Sequence, residues 1–289
     1  MQRLKGKVAV VTGASRGGGR GVALVLGEEG ATVYVTGRSV RDSPTPEGLP
    51  ETIDETAELV TARGGVGIQV RCDHTVDSEV GSLFERVEKE QGRLDILVNN
   101  VWGGYEKGFE NWYDPFWEQP LWRWEQMFSA GVRAHYTASR LAAPLMLPNR
   151  RGLIISTTFW DRGKCLTNLI YDLAKNAINR LAYVMALDLR EHDIAAVALS
   201  PGWMRTEQVL RDYNISPDDL SYQVFEGHER TESVYYIGRA VAALAADPNM
   251  MEKSGRILAV GDLAHEYGFT DIDGRQPPAY RMKEEQLRD

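Results

Sequence analysis

Cysteine is nearly absent. Cys72 and Cys165 are the only two in 289 residues, which excludes a disulfide framework and leaves a reducing compartment as the default. Positive charge is also in deficit, with 33 Lys and Arg against 41 Asp and Glu and a formal net charge of −8. A chain so balanced lacks the basic face that nucleic-acid phosphates or an anionic membrane surface require. No apolar run approaches the ~20 residues of a spanning helix, and Met1 to Gly6 carry no apolar h-region before the first apparent strand. Histidines 74, 135, 192, 228 and 265 are scattered without ligand-like spacing, so no metal site is expected. These absences turn the reading away from nucleic-acid-binding, membrane and secreted proteins, toward a cytoplasmic α/β protein long enough to bury a sizeable core.

What is present alternates. Val8-Ala9-Val10-Val11 is a short apolar run of the kind buried on both faces of a parallel sheet. Further β-rich runs occur at 32–36, 68–71, 94–98, 153–156, 194–199 and 256–260. Helical patterns lie between them, at about 50–63, 77–91, 121–147, 168–190 and 233–246, with another after the Gly-rich turn at 13–19. Seven strands alternating with helices predict a doubly wound parallel sheet in a single domain. Two stretches break the rhythm: a polar loop at 39–49, and residues 102–124, which hold five of the seven tryptophans. The tail after Gly261 reads as an extension packed on the same domain.

Thr12-Gly13-Ala14-Ser15-Arg16-Gly17-Gly18-Gly19 joins the first strand to the first helix. Glycines there permit either a plain tight turn or a close approach to a pyrophosphate resting on helix N–H groups, and the strand–helix setting favours the second. The second strand ends in Thr36-Gly37-Arg38-Ser39, with no carboxylate to accept bonds from ribose hydroxyls. Arg38, with Arg16 opposite, suits a 2′-phosphate and so NADP(H) over NAD(H); two solvated arginines are the plainer alternative. Tyr171 and Lys175, four residues apart in a helical pattern, share one face, so the ammonium would acidify the phenol for proton exchange. As a bare spacing that pair decides little. Thr158, just after a strand, adds a hydroxyl.

In order and spacing, Thr12-Gly13-x-x-x-Gly17-x-Gly19, Asp73, Asn99-Asn100, Tyr171-x-x-x-Lys175 and Pro201-Gly202 resemble the short-chain dehydrogenase/reductase family, up to about residue 261. Within it, the aromatic stretch after Asn100, the segment Gly131 to Tyr136 and the ending 262–275 are similar to the dehydrogenase/reductase SDR family member 1 group. The resemblance implies a Rossmann-type fold and a set of roles. Gly13, Ser15, Arg16, Gly17 and Gly19 would cradle the cofactor's phosphates. Asp73 and the His74 backbone would meet adenine, with Asn99 and Asn100 holding the turn beside the ribose. Tyr171 would be the proton donor or acceptor, Lys175 would bind the nicotinamide ribose, and Thr158 would orient the substrate oxygen. Pro201, Gly202 and Thr206 would border the carboxamide. The family also implies a homodimer or homotetramer, paired through the helices at 121–147 and 168–190.

Three features depart from the family pattern. Val101-Trp102 replaces Ala-Gly, Thr158 replaces a serine, and Gly131 replaces an asparagine that serves a proton relay. Trp160 and Trp203 follow strands on the ligand side of an open sheet and, with Trp102, are candidate walls of a substrate pocket. Trp112, Trp117, Trp122 and Trp124 read equally as pocket, core or interface. Residues 204–230 are a candidate lid, or an ordinary surface helix pair.

The leading expectation is hydride exchange between NADP(H) and the carbonyl or alcohol of a bulky apolar substrate: steroid-like, aromatic or long-chain. The competing one is an NADP(H)-binding sensor or scaffold with little catalysis. An epimerase or dehydratase ranks last.

Overall fold

The computed structural model describes residues 2–43, 48–166, 168–215 and 231–282. The chain begins with strand β1 (Val8–Val11), helix α1 (Gly17–Glu28), β2 (Thr32–Gly37), α2 (Ile53–Ala62), β3 (Val66–Arg71), α3 (Asp77–Gln91) and β4 (Ile96–Asn99). It continues through α4 (Leu121–Met127), α5 (Ala134–Met146), β5 (Gly152–Thr157), α6 (Leu169–Leu189) and β6 (Ile194–Ser200). The remainder is β7 (Trp203–Arg205), α7 (Glu207–Asp212), β8 (Thr231–Ser233), α8 (Val234–Ala246), β9 (Ile257–Ala259) and α9 (Val260–Tyr267).

Seven strands form one sheet in the order β3-β2-β1-β4-β5-β6-β9, and every pairing is parallel. The expected single α/β domain with a doubly wound sheet is what the chain forms. The two-residue period of a strand divides its side chains between two cores. Ala9 and Val11 face a layer with Val22, Val60 and Val241, from α1, α2 and α8. Val8 and Val10 face Leu83, Ala142 and Leu189, from α3, α5 and α6. Strands buried on both faces must be apolar throughout, which is why β1, β4 and β6 read as continuous runs. Strand order reverses between β1 and β4, so a crevice opens at their C-terminal ends.

Local chemistry starts the helices. Thr52 accepts the Glu55 N–H at the head of α2, and Asn168 accepts from Ile170 and Tyr171 at the head of α6. The single helix expected over 121–147 is instead α4 and α5 joined by a wide π-helical turn, Phe128–Arg133, a device common at functional sites. A second difference is the small β7–β8 sheet. Three residues per strand leave no alternation to read.

After α9 the chain runs back across the site end of the sheet. Asp271 accepts the Ser233 N–H at 2.7 Å, Pro277 O accepts the Tyr236 hydroxyl at 3.1 Å, and Met282 N–H donates to Asp161 at 2.8 Å. Among the described residues, no helix is long and apolar enough to cross a membrane. Of the candidate lid, residues 204–215 are described; the remainder, 216–230, lies outside the described residues.

Candidate active site

The Gly-rich turn is built for close approach. Gly13 has φ +64° and Gly17 φ +58°, values that favour glycine. A Cβ on Gly13 would lie 3.1 Å from the Val101 backbone, and one on Gly19 would collide with the Gly13 carbonyl. Asn100 locks the turn, donating to Gly13 O at 3.1 Å, while its own N–H reaches Thr12 Oγ1 at 3.0 Å. Arg16 is the N-cap of α1, and Ser15 O accepts the Thr56 hydroxyl at 3.3 Å. At the head of α1, the Gly17 N–H donates to the Glu207 carboxylate at 2.7 Å. A carboxylate settled on a helix N-terminus shows that these N–H groups suit an anion, so the residues present fit a pyrophosphate.

Just after β2, Arg38 is ion-paired with Glu106. Asp73 accepts from Thr75 N–H at 2.9 Å and from its hydroxyl at 2.7 Å. Despite its partial burial, these bonds and the nearby Arg38 hold its carboxyl below the usual range. His74 is buried against the Thr36 hydroxyl, 2.8 Å away, and burial depresses its imidazole to about 4. Asn99 is wholly buried and donates to Ser139 Oγ at 2.9 Å, so its side chain ties β4 to α5.

Tyr171, Lys175 and Thr158 come together where β5 meets α6. Thr158 Oγ1 donates to the Lys175 carbonyl at 3.2 Å. Lys175 Nζ rests 3.5 Å from the centre of the Trp102 ring and 5.4 Å from that of Tyr171. This differs from the electrostatics expected of the pair. Lys175 is only 7% exposed, and burial lowers its amine to about 7. The Tyr171 phenol is pushed well above its ordinary value, by burial first and then by the neighbouring phenols Tyr105 and Tyr280. With the ammonium seated on the indole, no acidification of the phenol reaches Tyr171.

The rings around Tyr171 form a cage: Trp102 at 5.6 Å and edge-on, Trp112 at 5.5 Å, and Tyr105 and Phe159 each at 6.4 Å. Tyr280 closes one side, 5.5 Å from Phe159. Of the three tryptophans expected to line a pocket, Trp102 belongs to this cage. Trp160 is half-buried in the segment after β5, its backbone N–H donating to Ser200 Oγ at 3.1 Å. Trp203, in β7, packs edge-on to Tyr213 at 6.5 Å. Trp112 is core, packed with Met127, Ile170 and Ala174, whereas Trp117 and Trp124 are exposed.

The Pro201–Thr206 segment borders the same crevice. The Thr206 methyl lies 3.5 Å from where a Gly17 Cβ would be, and its hydroxyl caps α7 through Val209 N–H at 3.3 Å. Gly202 is backed by Glu232, a wholly buried carboxyl that accepts the Gly202 N–H and is pushed up to about 8 by burial. Sequence reasoning missed Glu106, Glu207, Glu232, Asn168 and the ring partners Phe159 and Tyr280. Asn168 alone left a local trace, as a capping residue just before a helical pattern. It also donates to Trp112 O at 2.9 Å and Gln119 Oε1 at 2.8 Å, fastening α6 to the aromatic segment.

The chain matches the short chain dehydrogenase family over residues 7–213. It is 40% identical over 281 residues to dehydrogenase/reductase SDR family member 1 of Mus musculus, spanning 96% of this chain and 87% of that one. Among solved structures, a short chain dehydrogenase of Mycobacterium thermoresistibile superposes with a TM-score of 0.80 at 24% identity, over 96% and 93% of the two chains, and shares the fold. A 7α-hydroxysteroid dehydrogenase complexed with NADH and 7-oxo glycochenodeoxycholic acid superposes at 0.71 with 26% identity, over 95% and 96%. Matched to the family model over residues 7–213 and to a family member at 40% identity over most of both chains, the chain belongs to the short-chain dehydrogenase/reductase family of nicotinamide-dependent oxidoreductases.

Proposed function

We propose that the protein is an NADP(H)-dependent carbonyl reductase or alcohol dehydrogenase acting on a bulky apolar substrate. The observation that carries this reading is the group of half-buried Tyr171 with buried Lys175 and Thr158, set inside an aromatic cage and joined to the Gly-rich turn through Val101-Trp102. A bound nicotinamide supplies or accepts the hydride at C4. Tyr171 moves the proton to or from the substrate oxygen, and Thr158 Oγ1 orients that oxygen. Lys175 would hold the cofactor ribose, where its charge would favour proton release from the phenol.

The preference for NADP(H) rests on Arg38 at the end of a strand that offers no carboxylate to ribose. A 2′-phosphate would compete with Glu106 for that guanidinium. Gly13, Ser15, Arg16, Gly17 and Gly19 are the proposed phosphate cradle; Asp73, His74, Asn99 and Asn100 the adenosine side; Pro201, Gly202 and Thr206 the carboxamide side. The aromatic cage supports a steroid-like, aromatic or long-chain substrate, in keeping with the bile-acid ligand of the 7α-hydroxysteroid dehydrogenase.

Both cysteines are free thiols, which supports a reducing, cytoplasmic setting. The contacts of Asp271, Pro277 and Met282 support reading the whole chain as one unit with 262–289 as its extension. A homodimer or homotetramer is supported by the exposed stripe Leu169, Leu173, Tyr183, Val184 and Leu187 on α6.

The test is NADPH consumption across ketones and aldehydes of increasing size, with cofactor affinity measured beside it. Oxidation of NADPH with bulky ketones is expected. The second reading, a cofactor-binding sensor, is favoured by the elevated Tyr171 phenol; it requires tight NADPH binding with no oxidation across the panel.

A further inference from the structure

The last of the described residues lie over the site as a strap, 277–282, fastened at three points. Pro277 O accepts the Tyr236 hydroxyl at 3.1 Å. At the second residue of α9 the strap backbone presses on Gly261, where a Cβ would stand 2.2 Å from Ala279 N. Only a residue without a side chain lets two backbones lie so close. At the far end the Met282 N–H donates to Asp161 Oδ2 at 2.8 Å.

Asp161 is an unusual anchor. It stands three residues after Thr158, and its side chain is wholly buried. A buried carboxylate needs hydrogen bonds or a counter-charge, and the strap supplies both. Met282 bonds one oxygen, and Arg281 Nε lies 3.9 Å from the other; Lys164 Nζ adds a second cation at 4.0 Å. Oδ1 receives no hydrogen bond, so the bond from Met282 is the fastening. Between the Gly261 and Asp161 fastenings stands Tyr280. Its Cβ is 3.7 Å from where a Gly202 Cβ would be. Its ring is 5.5 Å from that of Phe159, which in turn lies 6.4 Å from the ring of Tyr171. The strap thus sets a ring between the Pro201–Gly202 turn and the rings around Tyr171.

We propose that Tyr280 is a specificity-determining residue of this site, walling the space where a substrate carbonyl meets Tyr171, and that Asp161 is the positioning residue that fixes it there through Met282. The proposal deepens the redox reading and rests on it, since Tyr171 must be the proton carrier for that space to hold substrate. A ring on a strap fastened at both ends keeps one place, so the crevice admits the substrates that fit beside it. Tyr280 is only partly buried, so truncating its ring widens the crevice without leaving a cavity in the core. Unfastening the strap at Asp161 acts in the same direction, by letting the ring leave its place.

Two readouts on the full chain test it. The first is the ratio of kcat/KM for 2-decalone, a two-ring ketone, to that for cyclohexanone, both with NADPH. Tyr280→Ala is expected to raise the ratio about 10-fold, the discrimination a close apolar wall provides. Asp161→Leu, which loses the Met282 bond, shifts it the same way, and Asp161→Asn, which keeps an acceptor for Met282, restores the wild-type ratio. A merely structural Asp161 would lower both values together and leave the ratio alone. The second readout is acetylation of Tyr171 by N-acetylimidazole in the cofactor-free protein, followed by peptide mass spectrometry. Losing a hydrogen bond to a carboxylate raises the share of unfastened strap about 10-fold. Tyr171 is therefore expected to react about that much faster in Asp161→Leu, faster also in Tyr280→Ala, and at the wild-type rate in Asp161→Asn. An unchanged ketone ratio in Tyr280→Ala, or equal acetylation rates in all four proteins, would overturn the proposal. Acetylation needs no turnover, so failure of every ketone to oxidise NADPH would count against the redox reading, and the strap would still be judged by how it protects Tyr171.

Discussion

At Tyr171 a half-buried phenol packed among five rings is a poor acid, and burial makes the amine beside it a poor base. The redox reading makes Tyr171 the proton carrier, so Tyr171→Phe is expected to lower turnover by about 100-fold or more while NADPH affinity is retained. Steady-state rates beside a fluorescence titration check both halves. Lys175 gives a stability signature as well. Its amine titrates at about 7 when buried, against an ordinary 10.5. Between those values the unfolded chain binds more protons, so wild-type stability rises as pH climbs from about 7 toward 10.5. Lys175→Met should therefore be more stable than wild type below pH 7, with the advantage shrinking by pH 10. Urea midpoints at pH 6, 8 and 10 measure it, and a constant difference would contradict the account. At Arg38 the Glu106 carboxylate competes with any 2′-phosphate. Glu106→Gln is expected to tighten NADP binding about 3-fold, the size of a partly exposed ion pair, and to leave NAD binding unchanged.

Among the elements, α6 is the one the site depends on most, and its head is held from two sides. Asn168 caps it through two backbone N–H groups and donates to Trp112 and Gln119. Asn168→Ala is expected to lower unfolding free energy by about 1–2 kcal/mol, measured by urea denaturation. Element by element, the seven sheet strands could be read because all but the edge strand β3 are largely apolar or β-branched runs and each lies between helical patterns, and the Gly-rich turn and the Tyr–Lys pair because their spacing is local. The partners that complete the site were hidden by distance along the chain. Glu207 reaches Gly17 across 190 residues, and Arg38 meets Glu106 across 68. No periodicity encodes such a meeting. The π-helical turn at Phe128–Arg133 was hidden for another reason: one extra residue per turn barely changes an apolar pattern over two turns.

Across the molecule, the doubly wound sheet gathers residues from the ends of β1, β2, β4, β5 and β6 along one edge, which is how the Gly-rich turn and the residues around Tyr171 come to share a crevice. The outer stripe of α6 is exposed, and it is the surface on which the proposed homo-oligomer would pair. Leu187→Glu is expected to lower the oligomeric mass in light scattering and leave NADPH affinity intact. The account as a whole stands on Tyr171 serving a hydride transfer to carbonyl carbon. Reduction of a bulky ketone with NADPH deuterated at nicotinamide C4, read by mass spectrometry, tests that directly. Deuterium at the carbinol carbon with the wild-type protein, and its loss in a Tyr171→Phe variant that still binds NADPH, is the predicted result. Deuterium transfer by Tyr171→Phe at the wild-type rate would contradict it.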